Sequence, residues 1–212
     1  KAELILPTGE RLLDYHVRQA LELSAAMMSN IPIMIADNGR NFTVNHDLIE
    51  KDPQSSISYI TDYLSSNDNN QIETGGALVA IESALQLLKI LVNAPDLTEM
   101  PDVQSYWLLV ISCDSLIPVT DLWKKLQPYI AQATDKSVIC LTDNEHLYPL
   151  LAVYRLSIEP ELKHYIDAGQ RQVMKFIKPI VQPVPFIKAW QDLTNFNTPK
   201  DFVRACLALG DL

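Results

Sequence analysis

The chain has 212 residues, 48% of them hydrophobic and 20% charged, with a formal net charge of −9. That length suits one large domain or two small ones with a sizeable core, and the acidic balance argues against broad electrostatic attraction to nucleic acid or an anionic membrane. An acidic protein holds an anionic ligand through local donors or a metal ion, which points to small phosphorylated ligands rather than polymers.

Residues 12–25 carry Leu12, Leu13, Val17, Ala20, Leu21 and Ala25 at helical spacing and predict a first helix. The short apolar run 31–36 reads as a strand covered on both faces, the habit of parallel sheets. Turn chemistry at Asp37, Asn38 and Gly39 ends it. A second strand is expected over 57–61, ending at Asp62, followed by a polar loop over 65–71. Gly75-Gly76 opens a strongly apolar helix to about Val92, whose stripe Leu78, Ile81, Leu85 and Leu88 reads as core.

Residues 106–112 predict a buried strand, with Asp114 just beyond its carboxyl end. Thr120 is then expected to cap a helix carrying Leu122, Trp123, Leu126 and Ile130. Strands follow over 137–141 and 150–156, then two short helices over 159–165 and 171–177 separated by Gly169. The proline-rich stretch 179–185 reads as an extended connection or edge strand. Thr198-Pro199 starts a last helix that Gly210 ends.

This alternation implies a doubly wound, three-layer α/β/α domain with a mostly parallel, Rossmann-like sheet. Ligands in such sheets bind beyond the carboxyl ends of the strands, which groups Asp37, Asn38, Asp62 and Asp114 at one edge. Asp114 has two readings: a carboxylate ligand for Mg²⁺, which favours oxygen donors and phosphates, or an ordinary loop or capping aspartate. Asp62 has the same two readings. Gly76 either brings helix-terminal N–H groups to a phosphate or serves a turn that needs positive φ. Lys1 and Arg171 suit phosphate contacts as a point charge and a bidentate fork respectively, although most such side chains are simply solvated.

His16, His46, His146 and His164 stand at no metal-ligand spacing and are not read as a site. Cys113, Cys140 and Cys206 show no CxxC or Cys/His spacing and read as reduced, buried thiols. Neither a GxSxG elbow nor a GxxxxGK[ST] loop occurs. The apolar runs are too short to span a bilayer. The chain starts at Lys1 rather than a methionine, which leaves upstream or targeting residues open.

Taken in order, several segments resemble the molybdenum cofactor guanylyltransferase family, whose fold is that of the nucleotide-diphospho-sugar transferases. Lys1 to Gly9 looks like the piece that begins at the lysine closing the family's Gly-rich loop. Thr61-Asp62 resembles its strand-terminal aspartate, 76–81 its GPLAGI segment, and Cys113-Asp114 its Cys-Asp pair. Residues 169–174 are similar to a GxRxVM segment, and 195–201 to an NxNTPED signature, the most specific of these motifs. Related cytidylyltransferases tend to carry Asp where Asn195 and Asn197 stand. The departures are Ala77 and Ala80 within GPLAG, Leu116 for a proline after Cys-Asp, and a base-contacting asparagine that Asp37 and Asn38 both match.

The resemblance implies one nucleotidyltransferase domain over residues 1–212, with a first strand and Gly-rich loop expected upstream of Lys1. It further implies a cytoplasmic enzyme that moves GMP from GTP to molybdopterin-bound molybdenum, with molybdoenzymes or their chaperones as recipients and no nucleic-acid or membrane partner. By the same resemblance Asp114 holds Mg²⁺, and Lys1 and Asp114 are catalytic. Lys1, Asp37, Asn38, Asp62, Gly76 and Asp114 bind the nucleotide, whereas Arg171, Asn195 and Asn197 bind the acceptor. A cytidylyl or sugar-phosphate transferase of the same fold, or a non-catalytic nucleotide-binding homologue, is the alternative.

Overall fold

The structure, a computed structural model, describes residues 1–51, 56–64, 76–93, 106–143 and 145–210. The expected polar loop at 65–71 and Gly75 lie outside the described residues. In chain order the elements are α1 (Leu12–Ala26), β1 (Ile33–Ala36), α2 (His46–Lys51), β2 (Ile57–Ile60), α3 (Ala77–Val92), β3 (Trp107–Ile111) and α4 (Val119–Ile130). Then come β4 (Val138–Thr142), β5 (Leu147–Arg155), α5 (Glu159–Asp167), α6 (Val173–Ile177), β6 (Val181–Pro185) and α7 (Pro199–Gly210). Single 3₁₀ segments at Leu156–Ile158 and Lys188–Leu193 precede α5 and α7.

Two sheets result. β1 and β2 pair in parallel, and a four-stranded sheet runs in the order β3-β5-β4-β6. β4 and β6 are parallel, while β5 lies antiparallel to both β3 and β4. Three of these four strands therefore point one way, with β5 as the reversed insertion. Side chains alternate across β4 and β5 and feed two separate cores. Ile139, Leu141, Leu151 and Val153 face α1, α4 and the segment before α7, against Leu12, Leu122, Leu126 and Trp190. Val138, Cys140, Ala152 and Tyr154 face α3 and α5, against Leu78, Leu85, Leu162 and Ile166. A sheet with an apolar core on each face is the three-layer arrangement expected from the sequence.

Several local expectations are corrected. β1 and β3 are half-buried instead of fully covered: β1 sits in a two-stranded ribbon, and β3 is the last strand of its sheet. Thr120 does not cap α4. Pro118 occupies the capping position, its φ of −58° leading into the helix, and no side-chain cap bond forms. Cys113 is exposed, and only Cys140 is buried. The Leu78, Ile81 and Leu85 stripe is buried as expected. Thr198 does cap α7: its hydroxyl accepts the Asp201 N–H at 3.2 Å, and Asp201 accepts the Thr198 N–H at 3.0 Å. Among the described residues no helix is long and apolar enough to cross a membrane.

Candidate active site

The site is built at the carboxyl end of β3. After Ile111 the chain turns: Ser112 N–H donates to Leu150 O at 2.8 Å, and Ser115 N–H to Ser112 O at 3.3 Å. The Ser112 hydroxyl bonds the near carboxylate oxygen of Asp114. Two further contacts hold this turn in place. Leu116 N–H donates to Leu193 O at 2.8 Å beside a Ser115–Thr194 bridge, and Tyr15 Oη of α1 donates to Leu116 O at 2.9 Å.

The Ser115–Thr194 bridge also delivers the 195–197 segment. Asn195 takes φ of 55°, a left-handed conformation that asparagine tolerates better than most residues. This turn buries Phe196 against Phe202, ring centroids 5.3 Å apart. Asn197 then reaches the site.

Lys1 comes from a third direction. α1 begins with backbone N–H groups that have no intrahelical partner, and these dock the start of the chain: Leu12 N–H to Leu4 O at 2.8 Å, Leu13 N–H to Ala2 O at 3.0 Å. Ala2 and Leu6 are buried. The Lys1 ammonium donates to Asp114 Oδ2 at 3.0 Å and to Asn197 Oδ1 at 2.8 Å, and lies 5.9 Å from the Phe196 ring centroid. Residues 1, 114 and 197 thus form one hydrogen-bonded cluster, with the Lys1 and Asp114 side chains 31% and 24% exposed. That exposure leaves the pair within reach of a ligand.

The donor set suits a phosphorylated ligand with Mg²⁺. One carboxylate plus an amide oxygen fits an ion that normally takes one or two carboxylates and completes its shell with water and substrate phosphates. Among the described residues no group of three or more His, Cys, Asp or Glu side chains gathers as a self-contained metal cage. The ammonium, now satisfied by Asp114 and Asn197, is the natural partner of a phosphate oxygen.

The other expected residues make contacts of their own, with partners other than Lys1, Asp114 and Asn197. Asp62 follows β2, and Tyr63 next to it is fixed by N–H donation to Val79 O at 3.4 Å and by its hydroxyl to Asp167 Oδ1 at 3.0 Å. This seats the end of β2 on the first turn of α3, where Gly76 has φ of 74° and its O accepts the Val79 N–H. A side chain at Gly76 would meet open space, so the positive φ is what favours glycine there. Asp37 is buried and its Oδ1 accepts the Gly39 N–H at 3.1 Å, while Asn38 has φ of 50°. Arg171 donates to Ile166 O at 2.7 Å and Gln170 O at 3.0 Å, closing the end of α5. A polar cleft of about 510 Å³ lies elsewhere, between Thr8–Arg11, Asp14, Arg18 and the start of α2, and its guanidiniums are already paired with Asp14 and Glu10.

Two further features were not anticipated. Ser112 orients Asp114, a role that the Ser-x-Asp spacing hints at. His16, which no motif selects, has both ring nitrogens shielded from solvent and without a hydrogen-bond partner. Burial pushes its pKa down to about 4, against the upward pull of Asp114.

The fold is a three-layer α/β arrangement with a polar cluster at the carboxyl end of a strand. Over the whole chain it superposes on the molybdopterin-guanine dinucleotide biosynthesis protein A of Archaeoglobus fulgidus, with a TM-score of 0.61, 19% identity and coverage of 91% of that protein. No family model matches the chain. It is 29% identical over 114 residues to the molybdenum cofactor guanylyltransferase of Shewanella amazonensis, covering 53% of this chain and 57% of that protein. With the enzyme of the same name from Shewanella loihica it shares 25% identity over 135 residues, 63% and 67% of the two chains. The chain is thus similar to molybdenum cofactor guanylyltransferases over part of its length and shares the fold of the Archaeoglobus fulgidus protein. It spans somewhat more than half the length of the first of these curated relatives.

Proposed function

We propose that residues 1–212 form one nucleotidyltransferase domain that transfers GMP from GTP to molybdopterin-bound molybdenum and releases pyrophosphate. An oxygen of the acceptor's terminal phosphate attacks the α-phosphorus of GTP, the α–β anhydride bond breaks, and pyrophosphate leaves with that electron pair. The observation that carries this reading is the Lys1–Asp114–Asn197 cluster at the end of β3. It joins residues distant in sequence at the edge where such sheets bind ligands, and the named relatives support the choice of substrates.

In this reading Asp114 holds Mg²⁺, with Ser112 fixing its carboxylate. The ion, when bound, neutralises phosphate charge. Lys1 exchanges its carboxylate partner for a phosphate oxygen as charge develops at the leaving group. Asp62, Gly76 and the Asp37-Asn38 turn receive the nucleotide, and Asn195, Asn197 and Arg171 receive the acceptor. Catalysis is positioning and electrostatic stabilisation, without a covalent enzyme intermediate. The protein acts in the cytoplasm and passes its product to molybdoenzymes or their chaperones.

Calorimetric titration of the full-length protein with GTP and with CTP, each with Mg²⁺, tests the assignment. Preferential GTP binding that is lost in Asp114→Ala, with the far-UV spectrum unchanged, is the expected result. An Asp114→Ala protein that still binds and turns over Mg-GTP refutes the metal site. Preference for CTP moves the chain to the cytidylyl activity, and failure to bind either nucleotide moves it to a non-catalytic role.

A further inference from the structure

The strands that lead to Asp37 and Asp62 form a sheet of their own. Among the described residues neither β1 nor β2 pairs with the four-stranded sheet on which α5 packs. Without a shared ladder, the position of the β2 end relative to the end of α5 depends on other contacts. Tyr63 follows Asp62 and carries such contacts in both its backbone and its side chain. Its N–H donates to Val79 O at 3.4 Å, and the Val79 N–H donates to Gly76 O at 3.2 Å, which ties Tyr63 to the Gly76 turn. Its hydroxyl donates to Asp167 Oδ1 at 3.0 Å. The Lys163 ammonium, 5.4 Å from the Tyr63 ring centroid, bonds Asp167 Oδ2 at 2.6 Å. Asp167 is the last residue of α5; just beyond it Gly169 takes φ of 76° and Arg171 donates back to Ile166 O. A phenol bonded to a carboxylate makes a charge-assisted hydrogen bond, roughly twice as strong as a neutral one. Phenylalanine would keep the ring against Lys163 and lose only that bond.

We infer that Tyr63 is a positioning residue that couples the two substrates. Its backbone fixes the Asp62 and Gly76 side of the site, which receives the nucleotide, and its hydroxyl fixes the end of α5 from which Arg171 reaches the acceptor. The ligand that binds first orders both ends together, and the second then binds to groups already held in place. Such coupling is reciprocal, so each substrate tightens the other by the same factor. The inference rests on the nucleotidyltransferase reading for the identity of the two ligands.

The test is calorimetric titration of the full-length protein with Mg²⁺ and the non-transferable analogue guanosine 5′-(α,β-methylene)triphosphate, with and without saturating molybdopterin. In the parent, molybdopterin is expected to tighten nucleotide binding about tenfold, the worth of one hydrogen bond to a charged group. In Tyr63→Phe that factor is expected to fall below about twofold, while each ligand alone stays within about threefold of its parental affinity. Asp167→Asn, which keeps an oxygen acceptor for the hydroxyl, should retain most of the coupling. A Tyr63→Phe protein with the parental coupling factor overturns the inference. So does one whose nucleotide affinity falls equally with and without molybdopterin, the pattern of a merely structural role. A parent that binds both ligands without mutual effect leaves the functional reading standing and overturns the inference alone, whereas a parent that binds no Mg-nucleotide fails both.

Discussion

Glu82 stands in the middle of α3 and is completely buried against α5. Gln86 donates to its Oε1 at 2.9 Å, and its Oε2 has no hydrogen-bond partner. Burial raises its pKa from the ordinary carboxyl range to about 7; the Gln86 bond opposes the rise, and the charge of Glu159 adds to it. The folded protein therefore holds a proton on Glu82 between about pH 4.5 and 7 that the unfolded chain releases. Stability from this group is fully present below the unfolded pKa and is lost as the pH rises to the folded value. The loss amounts to about 3 kcal/mol at most, at 1.36 kcal/mol per pKa unit. Glu82→Gln supplies a permanently neutral side chain of the same shape. Denaturant unfolding at intervals from pH 4.5 to 8.5 should show the two proteins nearly equal at the acid end. The gap should then widen to about 3 kcal/mol in favour of Glu82→Gln and level off above pH 7. A gap that stays constant with pH, or one that favours the parent at pH 8, refutes the claim that Glu82 is buried as the acid.

Three other outcomes follow from named contacts. Asp14 is buried, takes two bonds from Arg11 and accepts the Asn45 N–H at 2.7 Å; Asp14→Ala should cost about 2–4 kcal/mol in denaturant unfolding at pH 7, because it strands those donors. Thr198→Ala removes the cap of α7 and should cost about 1 kcal/mol by the same measurement. Gly76→Ala forces an L-residue into a region of positive φ that only glycine readily enters and should lower stability by about 1–3 kcal/mol, while a nucleotide affinity lower by more than the stability loss would mark the turn as part of the binding surface.

The helices and most strands were legible because periodicity reports burial directly. α1, α3 and α7 carry apolar stripes with clear stops, and the proline stretch before α7 did become the edge strand β6. The direction of β5 was not legible. A strand with an apolar core on both faces has the same continuous apolar pattern whether it runs parallel or antiparallel. Pro149 also obscures its start: the β4–β5 ladder passes from Leu141↔Tyr148 to Cys140↔Ala152, so the proline sits in an irregularity outside the pairing. The true start at Leu147 leaves a connection from Thr142 too short for a crossover helix, which by itself requires reversal.

The site was legible only in pieces. Position at a strand end pointed to Asp114, but nothing in its local sequence says that residues 1 and 197 meet it. The Ser115–Thr194 bridge and the docking of residues 2 and 4 on α1 bring them there. Ordered resemblance to known segments named Lys1, Asn195 and Asn197, of which Lys1 and Asn197 are in contact.

Nucleotidyl transfer at the end of β3 would show itself as pyrophosphate release. Full-length protein supplied with Mg²⁺, GTP and molybdenum-loaded molybdopterin should release pyrophosphate together with a guanine dinucleotide product, and Asp114→Ala should release none. Pyrophosphate release that survives Asp114→Ala, or its absence from the parent with every nucleotide tried, contradicts the account.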